Sequence, residues 1–596
     1  MRILGIHDGH GASAAILEDG ELVRAYEEER FTRLKADTGF PKRALTALQG
    51  EFSSGLRDVD HVAIATVNHD FSLFATKRYP LFSVGDFLEE ERRYWIPKLI
   101  EGRELDYLEV MKEYVDFSLS HYPLASVRNR GDYEEIRALR RDFTAAFLGV
   151  SPDRISFVDH HTCHAHHAYY SSPLRGTDVL VVTIDGAGDG LNATIHTVDG
   201  DGRLRSQYRT GLCNLGRIYS FVTLLLGMKP SEHEYKVMGL AAYTKEKYIQ
   251  APLEVFRSTY YVDGLEFKAR QPIRNHYQFL RARLEGQRFD AIAGALQQYA
   301  EELITTWIGN WLRHTGTRRV ALSGGVALNV KANMKVAELP EVDDLFVCPG
   351  GGDESISIGA AQVAHVERAG PGGLRPMRSA YHNGGFTEAE AQAAFERPAL
   401  KDDYEVVADG NPDAVAEALD GGNVVAVCVG RSEFGPRALG HRSLIADPRS
   451  RAVVRVLNEA IKSRDFWMPF TPSILRERAD DYLINPKKLR APFMTVTFET
   501  TELARQHLAA AIHDYDKTIR PQLVEREISP EYYDVIKAFE RRTGVGGVLN
   551  TSLNIHGKPI VRTPMELIDE VLSNANVNLP YLLIGPRLFR RRAGRS

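Results

Sequence analysis

Cysteine is scarce in this sequence, and its few copies are not arranged for structural bridging. Among 596 residues there are four, with no C-x-x-C pair and no framework spacing: Cys163, Cys213, Cys348 and Cys428. This pattern excludes a disulfide scaffold and is typical of a protein in a reducing cytosol. We therefore predict a cytoplasmic protein.

Long apolar runs and an excess of positive charge are also lacking. No apolar run approaches the ~18 residues that a membrane span requires, and Ile3-Leu4 is too short to be the apolar region of a signal peptide. The net charge of −5 gives no general attraction to nucleic acid or to an anionic membrane. We therefore expect neither a nucleic-acid nor a membrane partner.

The length and a single Gly/Pro-rich segment indicate the domain organisation. A chain of 596 residues exceeds what one core normally supports, so two or more domains are expected. The stretch Arg368-Ala-Gly-Pro-Gly-Gly-Leu-Arg-Pro-Met is typical of an interdomain linker. We predict domains at residues 1–366 and 391–596, joined by a linker at 367–390.

The first domain contains a repeated pattern. From Arg2 the sequence predicts a strand, a Gly-rich turn, a strand, an Asp-Gly hairpin and a strand, and the same plan starts again at Val179, about 180 residues later. Two copies of one unit indicate a duplicated, two-lobed α/β domain. Gly-rich turns between strands are suited to backbone contact with phosphate.

Four side chains form a candidate metal site. His160 and His164 stand at i and i+4, on one face of a predicted helix. A lone H-x-x-x-H usually binds no metal, but Asp185 and Asp353 each follow a strand-like apolar run, where α/β folds place their ligands. Two imidazoles and two carboxylates suit Fe(II), Mn or Zn better than calcium.

Two further segments predict binding of nucleotide and oxyanion. The strand Val320-Ala321-Leu322 leads through Ser323-Gly324-Gly325 into a helix from about Val326, which favours phosphate or ribose at the helix N-terminus. In the second domain, a buried strand at 424–429 precedes cations and amides suited to phosphate or carboxylate. Singly, such residues are more often solvated at the surface. They are Arg431, Arg437, Arg442, Lys462, Arg464, Arg520, Asn550, Ser552 and Asn554.

These motifs, in this order and over nearly the whole chain, resemble the NodU/CmcH family of O-carbamoyltransferases. The matching stretches are His10-Gly-Ala-Ser-Ala-Ala, Glu28-Glu-Arg-Phe-Thr-Arg-Leu-Lys35, His160-His-x-x-His164, Lys236-Val-Met-Gly-Leu-Ala, Ser323-Gly-Gly-Val-Ala-Leu-Asn329, Gly435-Pro-Arg-Ala-Leu-Gly-x-Arg-Ser443, Thr518-x-Arg-Pro-Gln522 and Asn550-Thr-Ser-x-Asn554.

The resemblance implies a fold and a two-step reaction. It implies an N-terminal actin/Hsp70-like (ASKHA) domain, similar to the tRNA threonylcarbamoyltransferase, and a C-terminal YrdC-like domain, similar to threonylcarbamoyl-adenylate synthase. The second domain would join ATP, with Mg, and carbamoyl phosphate into carbamoyl-adenylate. The first, with Fe(II) or another divalent metal, would pass the carbamoyl group to a hydroxyl of a small-molecule natural product, in antibiotic biosynthesis for example.

The resemblance also implies roles for individual residues. The metal ligands are His160, His164, Asp185 and Asp353. The catalytic residues are Asp8, His10, Lys35, Arg437 and Lys462. The nucleotide and carbamoyl phosphate are bound by Gly324, Gly325, Asn329, Arg437, Arg442, Lys462, Arg464, Arg520, Ser552 and Asn554.

Three positions depart from the family pattern. Gly11 stands where members usually have Asp, and Ala36 replaces a usual His. Met468 occupies a place where many members carry Arg, so Arg464 or Arg442 would have to supply the missing cation. The first two lie where acceptor or adenylate would bind, and the resemblance does not identify the acceptor.

Two alternatives remain open at this point. Threonylcarbamoylation of tRNA is disfavoured by the net charge and by the lack of an interior basic stripe. A non-catalytic, nucleotide-switched module of the actin/Hsp70 type leaves the metal residues and the second-domain cations without a role. The oligomeric state is also open, with a homodimer as one option.

Overall fold

The computed structural model describes residues 1–458, 461, 465–574 and 577–592. The chain divides into two compact units, Met1–Met377 and Arg378–Ser596, and the division falls within the segment expected to be a linker. Helix Ile356–Ala369 runs three residues into that segment, which is otherwise irregular up to helix Glu388–Phe395 apart from a short 3₁₀ turn. No helix in the described part of the chain has the length and apolarity to cross a membrane.

The first unit contains two five-stranded sheets. The first has the order β3-β2-β1-β4-β5, with β1 (Arg2–His7), β2 (Ser13–Glu18), β3 (Glu21–Glu27), β4 (His61–Ala65) and β5 (Ile155–Val158). The second has the order β12-β11-β6-β7-β8, with β6 (Val179–Gly188), β7 (Leu191–Val198), β8 (Leu204–Thr210), β11 (Arg319–Ser323) and β12 (Asp344–Val347). A separate hairpin is formed by β9 (Tyr260–Asp263) and β10 (Glu266–Ala269).

The two sheets have the same topology, as the sequence repeat predicted. In each, the first three strands form an antiparallel meander, and the fourth and fifth strands add in parallel beside the first. The second meander differs in one detail: β6 continues through Asp185 to Gly188 across an irregularity, so the tight turn is only Asp189-Gly190. Asp8, after β1, and Asp185, in β6, occupy equivalent places in the two lobes.

Close packing of one helix joins the lobes. Helix Ile356–Ala369 lies against β1 and against helix His160–Tyr170. A Cβ on Gly5 would stand 1.8 Å from the Ser357 carbonyl oxygen, and one on Gly359 would stand 2.0 Å from the Cys163 carbonyl oxygen. Because neither contact tolerates a side chain, these glycines set the distance at which Asp353, before this helix, meets helix His160–Tyr170.

The other long helices of the first unit cover the two sheets or extend from them. They are Lys42–Glu51, Tyr133–Leu148, Leu215–Leu225, Glu234–Ala241, Glu246–Arg257, His276–Leu284, Phe289–Thr315 and Val330–Glu338. The helix expected from Val326 begins as a 3₁₀ turn at Gly325–Leu328 and becomes α-helical at Val330.

The second unit is built on an eight-stranded mixed sheet. Its order is β13-β22-β21-β14-β15-β20-β16-β19, with β13 (Tyr404–Asp409), β14 (Val425–Cys428), β15 (Arg442–Ala446), β16 (Thr471–Leu475), β19 (Gln522–Val524), β20 (Gly547–Ser552), β21 (Tyr581–Ile584) and β22 (Arg587–Arg591). Strands β17 (Leu483–Ile484) and β18 (Glu499–Thr500) form a small hairpin.

Helices Pro412–Asp420, Ala452–Leu457, Glu502–His507 and Pro530–Thr543 belong to this unit. After Thr563 comes a short α-turn followed by a π-helix at Leu567–Leu572. The Thr563 side chain caps it by accepting from the N–H of Glu566, and the Glu566 carboxylate accepts from the N–H of Arg562 at 2.6 Å. The whole protein is therefore a mixed α/β protein.

Candidate functional site

The structure brings the four predicted metal ligands together. His160 Nε2 lies 3.3 Å from Asp185 Oδ2 and 3.5 Å from Asp353 Oδ1, and His164 Nε2 lies 3.4 Å from the same Asp353 oxygen. One ligand atom from each of the four lies within 4.8 Å of every other. The residues come from helix His160–Tyr170, from β6 and from the turn after β12, so the cluster lies where the two lobes meet.

Local features fix the two histidine rings. Asp159 caps helix His160–Tyr170, and its carboxylate accepts from the N–H of Thr162 at 2.8 Å. A Cβ on Gly188 would stand 2.1 Å from the ring of His160, so only glycine leaves room for that ring. Both imidazoles are buried, which keeps water from competing for their nitrogens.

Hydrogen bonds on the far side of each ligand orient it. His160 Nδ1 bonds Thr66 Oγ1 at 3.0 Å, and His164 Nδ1 bonds Ser323 Oγ at 3.0 Å. In each ring the Nδ1 bond leaves Nε2 to face the other ligands, as expected of a metal-binding imidazole.

The donor set fits a divalent metal. His160 Nε2, His164 Nε2 and Asp353 Oδ1 are buried and make no hydrogen bond within the described residues. Buried polar atoms without partners are costly, and three that converge on one point are well explained by a shared ligand. Four nitrogen and oxygen donors at this spacing suit Fe(II), Mn or Zn.

The pKa shifts in the cluster show that its negative charge favours a positive charge among the four residues. Burial lowers the pKa of His160, but Asp353 and Asp185 outweigh burial and raise it to about 9. Burial and the nearby His160 lower the pKa of His164 to about 3, and burial together with Asp185 raises the pKa of Asp353 to about 6. A proton on His160 thus offsets part of the negative charge of Asp185 and Asp353, and a cation bound there would displace that proton.

Asp8, which the resemblance makes a catalytic residue, is held by protein groups. It is fully buried, its two oxygens accept from Arg140 Nε at 2.7 Å and Nη2 at 2.8 Å, and Oδ2 also accepts from Tyr122 at 2.6 Å. Although burial alone would raise it, the Arg140 charge holds the pKa of Asp8 far below its usual value. Both oxygens of this carboxylate are thus engaged by protein groups, and its catalytic role stays a prediction.

His10 lies near the four-residue cluster, and Lys35 is ion-paired with Glu232. His10 packs against Tyr79 with ring centroids 4.5 Å apart, and its Nδ1 is buried without a hydrogen bond in the described part of the chain. Burial lowers its pKa, and the charges of Asp353 and Asp185 oppose that shift. Lys35 pairs with Glu232 at 3.2 Å, which keeps the ammonium charged.

Two of the departures from the family pattern have left-handed backbone. Gly11 has φ of 72° and lies against Glu354, while Ala36 has φ of 54° and donates its N–H to Glu29 at 2.8 Å. Both positions therefore shape the loops beside His10 and Lys35, whatever side chain other members carry there.

The glycine loop of residues 323–325 supports Asp185. The N–H of Gly325 donates to Asp185 Oδ1 at 2.7 Å, and the N–H of Gly324 donates to the Gly351 carbonyl at 2.8 Å. The amide of Asn329 exchanges two 3.0 Å hydrogen bonds with that of Gln297 and also caps helix Val330–Glu338. The Asn329 side chain is thus engaged in a structural network, and its assignment to adenylate binding remains a prediction.

In the second unit, Arg442 does not lie in an anion pocket, contrary to the prediction. Its guanidinium is fully buried and donates to four backbone carbonyls, those of residues 429, 430, 441 and 562. A guanidinium held by carbonyls inside the core cannot reach a phosphate, so Arg442 does not compensate for Met468. Lys462 and Arg464 lie outside the described residues.

The loop that carries Arg437 is held by a buried amide network. The carbonyl of Ala438 accepts from Asn550 Nδ2 at 3.1 Å, and that of Leu439 accepts from Gln522 Nε2 at 2.8 Å. Arg437 is half-buried beside these anchors. The anchors therefore tie three segments together: the Arg437 loop, the start of β19 and the end of β20.

The remaining predicted residues of this pocket lie on those segments. Arg520 precedes Gln522 by two residues and is half-buried, and Ser552 follows Asn550 by two. Ser552 Oγ donates to Asn554 at 2.6 Å, while the Asn554 amide also donates to the carbonyls of Ile555 and Lys558. Asn554 therefore shapes the turn after β20.

Sequence reasoning missed the residues that position the metal ligands. Asp189 accepts from the backbone N–H of Val67, Asn68 and His160, at 2.9, 2.8 and 2.9 Å. It lies in the same Asp-Gly-Ala-Gly-Asp-Gly motif as Asp185, which was an available signal. Thr66 gave no such signal, because its contact with His160 depends on tertiary structure.

Asp189→Asn is expected to weaken metal binding about 10- to 100-fold, as is typical for residues that orient a ligand. The amide would turn N–H groups toward backbone N–H groups that now meet a carboxylate. The measurement is metal affinity by competition with a chelator. The control is Asp199→Asn in the equivalent hairpin of the next strand pair, where the carboxylate also accepts two backbone N–H groups. Equal affinities in the two variants would contradict the prediction.

Comparisons with known proteins identify the family. A family model described as Carbamoyltransferase N-terminus matches residues 2–362, and one described as Carbamoyltransferase C-terminus matches residues 416–591. Nodulation protein NolNO of Sinorhizobium fredii is 29% identical over 595 residues, which cover 98% of this chain and 79% of that protein. Nodulation protein NolO of Bradyrhizobium diazoefficiens is 32% identical over 448 residues, covering 73% of this chain and 79% of that protein.

A further relative, an uncharacterized protein of Methanocaldococcus jannaschii, is 28% identical over 607 residues and covers 95% of each chain. Among solved structures, (R)-2-hydroxyglutaryl-CoA dehydratase component A of Acidaminococcus fermentans aligns with a TM-score of 0.33 and 16% identity, over 62% of this chain and 98% of that one. A score of that size carries no conclusion about fold. The two family models together extend from residue 2 to residue 591, and on that evidence the chain belongs to the NodU/CmcH family and is a carbamoyltransferase.

Proposed function

We propose that this carbamoyltransferase transfers a carbamoyl group from carbamoyl-adenylate to a hydroxyl of a small-molecule natural product, at the cluster between the two lobes of the first unit. The observation that carries the proposal is the convergence of three unpartnered, buried donor atoms from His160, His164 and Asp353, with Asp185 beside them. A transfer site needs an electrophile held in place, and a metal bound by these donors would hold one.

The two-unit organisation supports formation of an adenylate in the second unit. Carbamoyl phosphate is a poor donor toward a neutral alcohol, and its conversion with ATP to carbamoyl-adenylate gives a leaving group that a nucleotide site can hold. Arg437 and Arg520, on segments tied together by Asn550 and Gln522, have the guanidinium chemistry for carbamoyl phosphate and the ATP phosphates. Lys462 is the further cation that the sequence places in this step.

His160, His164, Asp185 and Asp353 would hold the divalent metal, proposed as Fe(II). When bound, it would supply a Lewis acid that polarises the carbamoyl carbonyl or lowers the pKa of the attacking hydroxyl. The protein's own contributions are distinct. Thr66, Ser323 and the N–H of Gly325 fix the ligands, the Lys35–Glu232 pair keeps a positive charge nearby, and a histidine accepts the hydroxyl proton, for which the sequence names His10.

The fold supports the same interpretation. Two sheets of equal topology in the first unit are what a duplicated actin/Hsp70-like domain would have. The second unit, with its eight-stranded mixed sheet, is proposed to be YrdC-like. Nothing in the described residues of the metal cluster favours tRNA as the acceptor.

The decisive experiment is a carbamoylation assay. The protein is incubated with ATP, Mg, carbamoyl phosphate and Fe(II), together with a panel of hydroxylated natural products, and mass spectrometry detects products heavier by one carbamoyl group. We expect a product that requires ATP, with release of AMP. Equal transfer without ATP would contradict the adenylate step, and modification of added tRNA alone would contradict a small-molecule acceptor.

A further inference from the structure

Asp8 is unusual for a residue near a proposed reaction site, because both of its carboxylate oxygens already accept hydrogen bonds from protein side chains. Besides Arg140 and Tyr122, its Oδ1 faces His69 Nε2 at 3.2 Å. Asp8, Arg140 and Tyr122 are all buried. Two histidines, His7 and His69, lie beside Asp8 with the chemistry to exchange a proton near neutral pH, and His69 is the one at ion-pair distance from its carboxylate.

The loop that carries His69 is attached to the metal-ligand cluster as well as to Asp8. Arg140, which clamps Asp8, also donates to the carbonyls of Thr66 and Val67, at 2.9 and 3.0 Å. Thr66 in turn bonds the ring of His160. Thr66 has φ of 69°, a conformation that a β-branched residue adopts only when its surroundings impose it. Residues 66–69 are thus held at both ends, which fixes where His69 lies relative to the ligands.

The ring of His69 is close to the cluster and retains a free nitrogen. A Cβ on Gly9 would stand 2.8 Å from His69 Cε1 and 2.6 Å from His7 Cε1. Because glycine has no side chain, both rings can pack against the backbone at Gly9. His69 Nδ1 makes no hydrogen bond to the described part of the chain, and the side chain is not completely buried. Its charge, like that of His10, is close enough to act on the carboxylate of Asp353.

We infer that His69, oriented by Asp8, is the residue that accepts the proton of the acceptor hydroxyl during carbamoyl transfer. His69 Nε2 lies 3.2 Å from the Asp8 carboxylate, so Asp8 stabilises the imidazolium that forms when Nδ1 takes the proton. Within the described residues His10 has no carboxylate at ion-pair distance, and its ring rests on Tyr79. Asp8 is accordingly a positioning residue and His69 a catalytic one. The inference rests on the proposed transfer site in the first unit.

The step balances without any further reactant. The acceptor O–H bond breaks, and its proton goes to His69 Nδ1. The acceptor oxygen forms a bond to the carbamoyl carbon, and the bond from that carbon to the leaving phosphate oxygen breaks, with its electron pair going to the phosphate. His69 then returns the proton to solvent.

The charged and titratable groups around His69 set its basicity. Burial and the positive Arg140 lower its pKa, whereas Asp8, and more weakly Asp189, raise it. His7 is the other titratable ring beside it, with ring centroids 6.1 Å apart. The Asp8 carboxylate opposes burial and Arg140 without outweighing them, so the pKa of His69 stays below the ordinary histidine value and the ring is neutral before it takes the proton.

The test uses the full-length protein with Fe(II) and preformed carbamoyl-adenylate, so that only transfer is measured. His69→Gln and His69→Ala are expected to lower kcat about 100-fold or more, the usual range for loss of a general base, with KM for the acceptor little changed. Metal content should stay at the wild-type level. Added imidazole should restore His69→Ala about 10-fold or more and should not affect wild type, a response that a merely structural role would not give.

Two comparisons make the outcome unambiguous. His61→Gln is the matched control: His61 is also a buried histidine, at the start of β4, whereas His69 lies in the loop after that strand, and His61 is bonded to Ser156 and Arg368. Unchanged kcat in His69→Gln, or metal loss in both His69 variants, overturns the inference, as does a loss of kcat confined to His10→Gln. If His160→Ala itself keeps full transfer, the proposed site fails instead.

Discussion

His160→Ala is expected to abolish metal binding and carbamoyl transfer together. The variant removes one of four donors, the imidazole that lies within 3.5 Å of both Asp185 and Asp353. Loss of an outer-shell partner typically costs 10- to 100-fold in metal affinity or activity, and we expect loss of a direct ligand to exceed about 100-fold in both. Metal content is measured by elemental analysis, and transfer with preformed carbamoyl-adenylate.

The matched control for this variant is His166→Ala. His166 lies on the same helix, and its Nδ1 bonds the carbonyl of Thr162, so its loss removes a ring of equal size that belongs to no metal cluster in the described residues. It should keep its metal. Full metal content in both His160→Ala and Asp353→Ala would show that the four residues do not bind a metal.

The sequence predicted this cluster because each member has a local signal. His160 and His164 share a helix face at i and i+4, and Asp185 and Asp353 follow buried strands. The duplicated strand pattern supplied the global argument, since strand ends of the two lobes meet at one place. Positions 160 and 353 could therefore be brought together without knowledge of the packing of helix Ile356–Ala369.

The sequence did not reveal which way individual side chains turn. Arg442 follows a glycine-rich turn just as Arg437 does, but its guanidinium enters the core and bonds carbonyls, because it begins a buried central strand. Asp8 was expected to touch substrate, yet Arg140, more than a hundred residues away in sequence, engages both of its oxygens. Contacts of this kind depend on the tertiary fold and leave no mark in local sequence.

The second large effect is a separation of the two half-reactions. Arg437→Ala and Lys462→Ala are expected to slow ATP- and carbamoyl-phosphate-dependent formation of adenylate about 100-fold, since a charged hydrogen bond contributes about 1.5–3 kcal/mol. Both variants should carbamoylate acceptor at the normal rate when preformed carbamoyl-adenylate is supplied. His160→Ala should show the opposite behaviour and form adenylate without transferring it. Arg541→Ala is the control, because Arg541 is exposed and pairs only with Asp413 at 2.7 Å among the described contacts.

The two groups of variants can be told apart because each keeps the half-reaction that the other loses. Adenylate formation is followed by release of pyrophosphate or phosphate and by exchange of label into ATP, and transfer by mass spectrometry of the acceptor. Arg437 is the more informative variant, since the anchors at Ala438 and Leu439 keep its loop in place when the side chain is removed. If Arg437→Ala, Lys462→Ala and His160→Ala all lose the same step, adenylate formation and transfer share one site, and the assignment of one step to each unit is wrong.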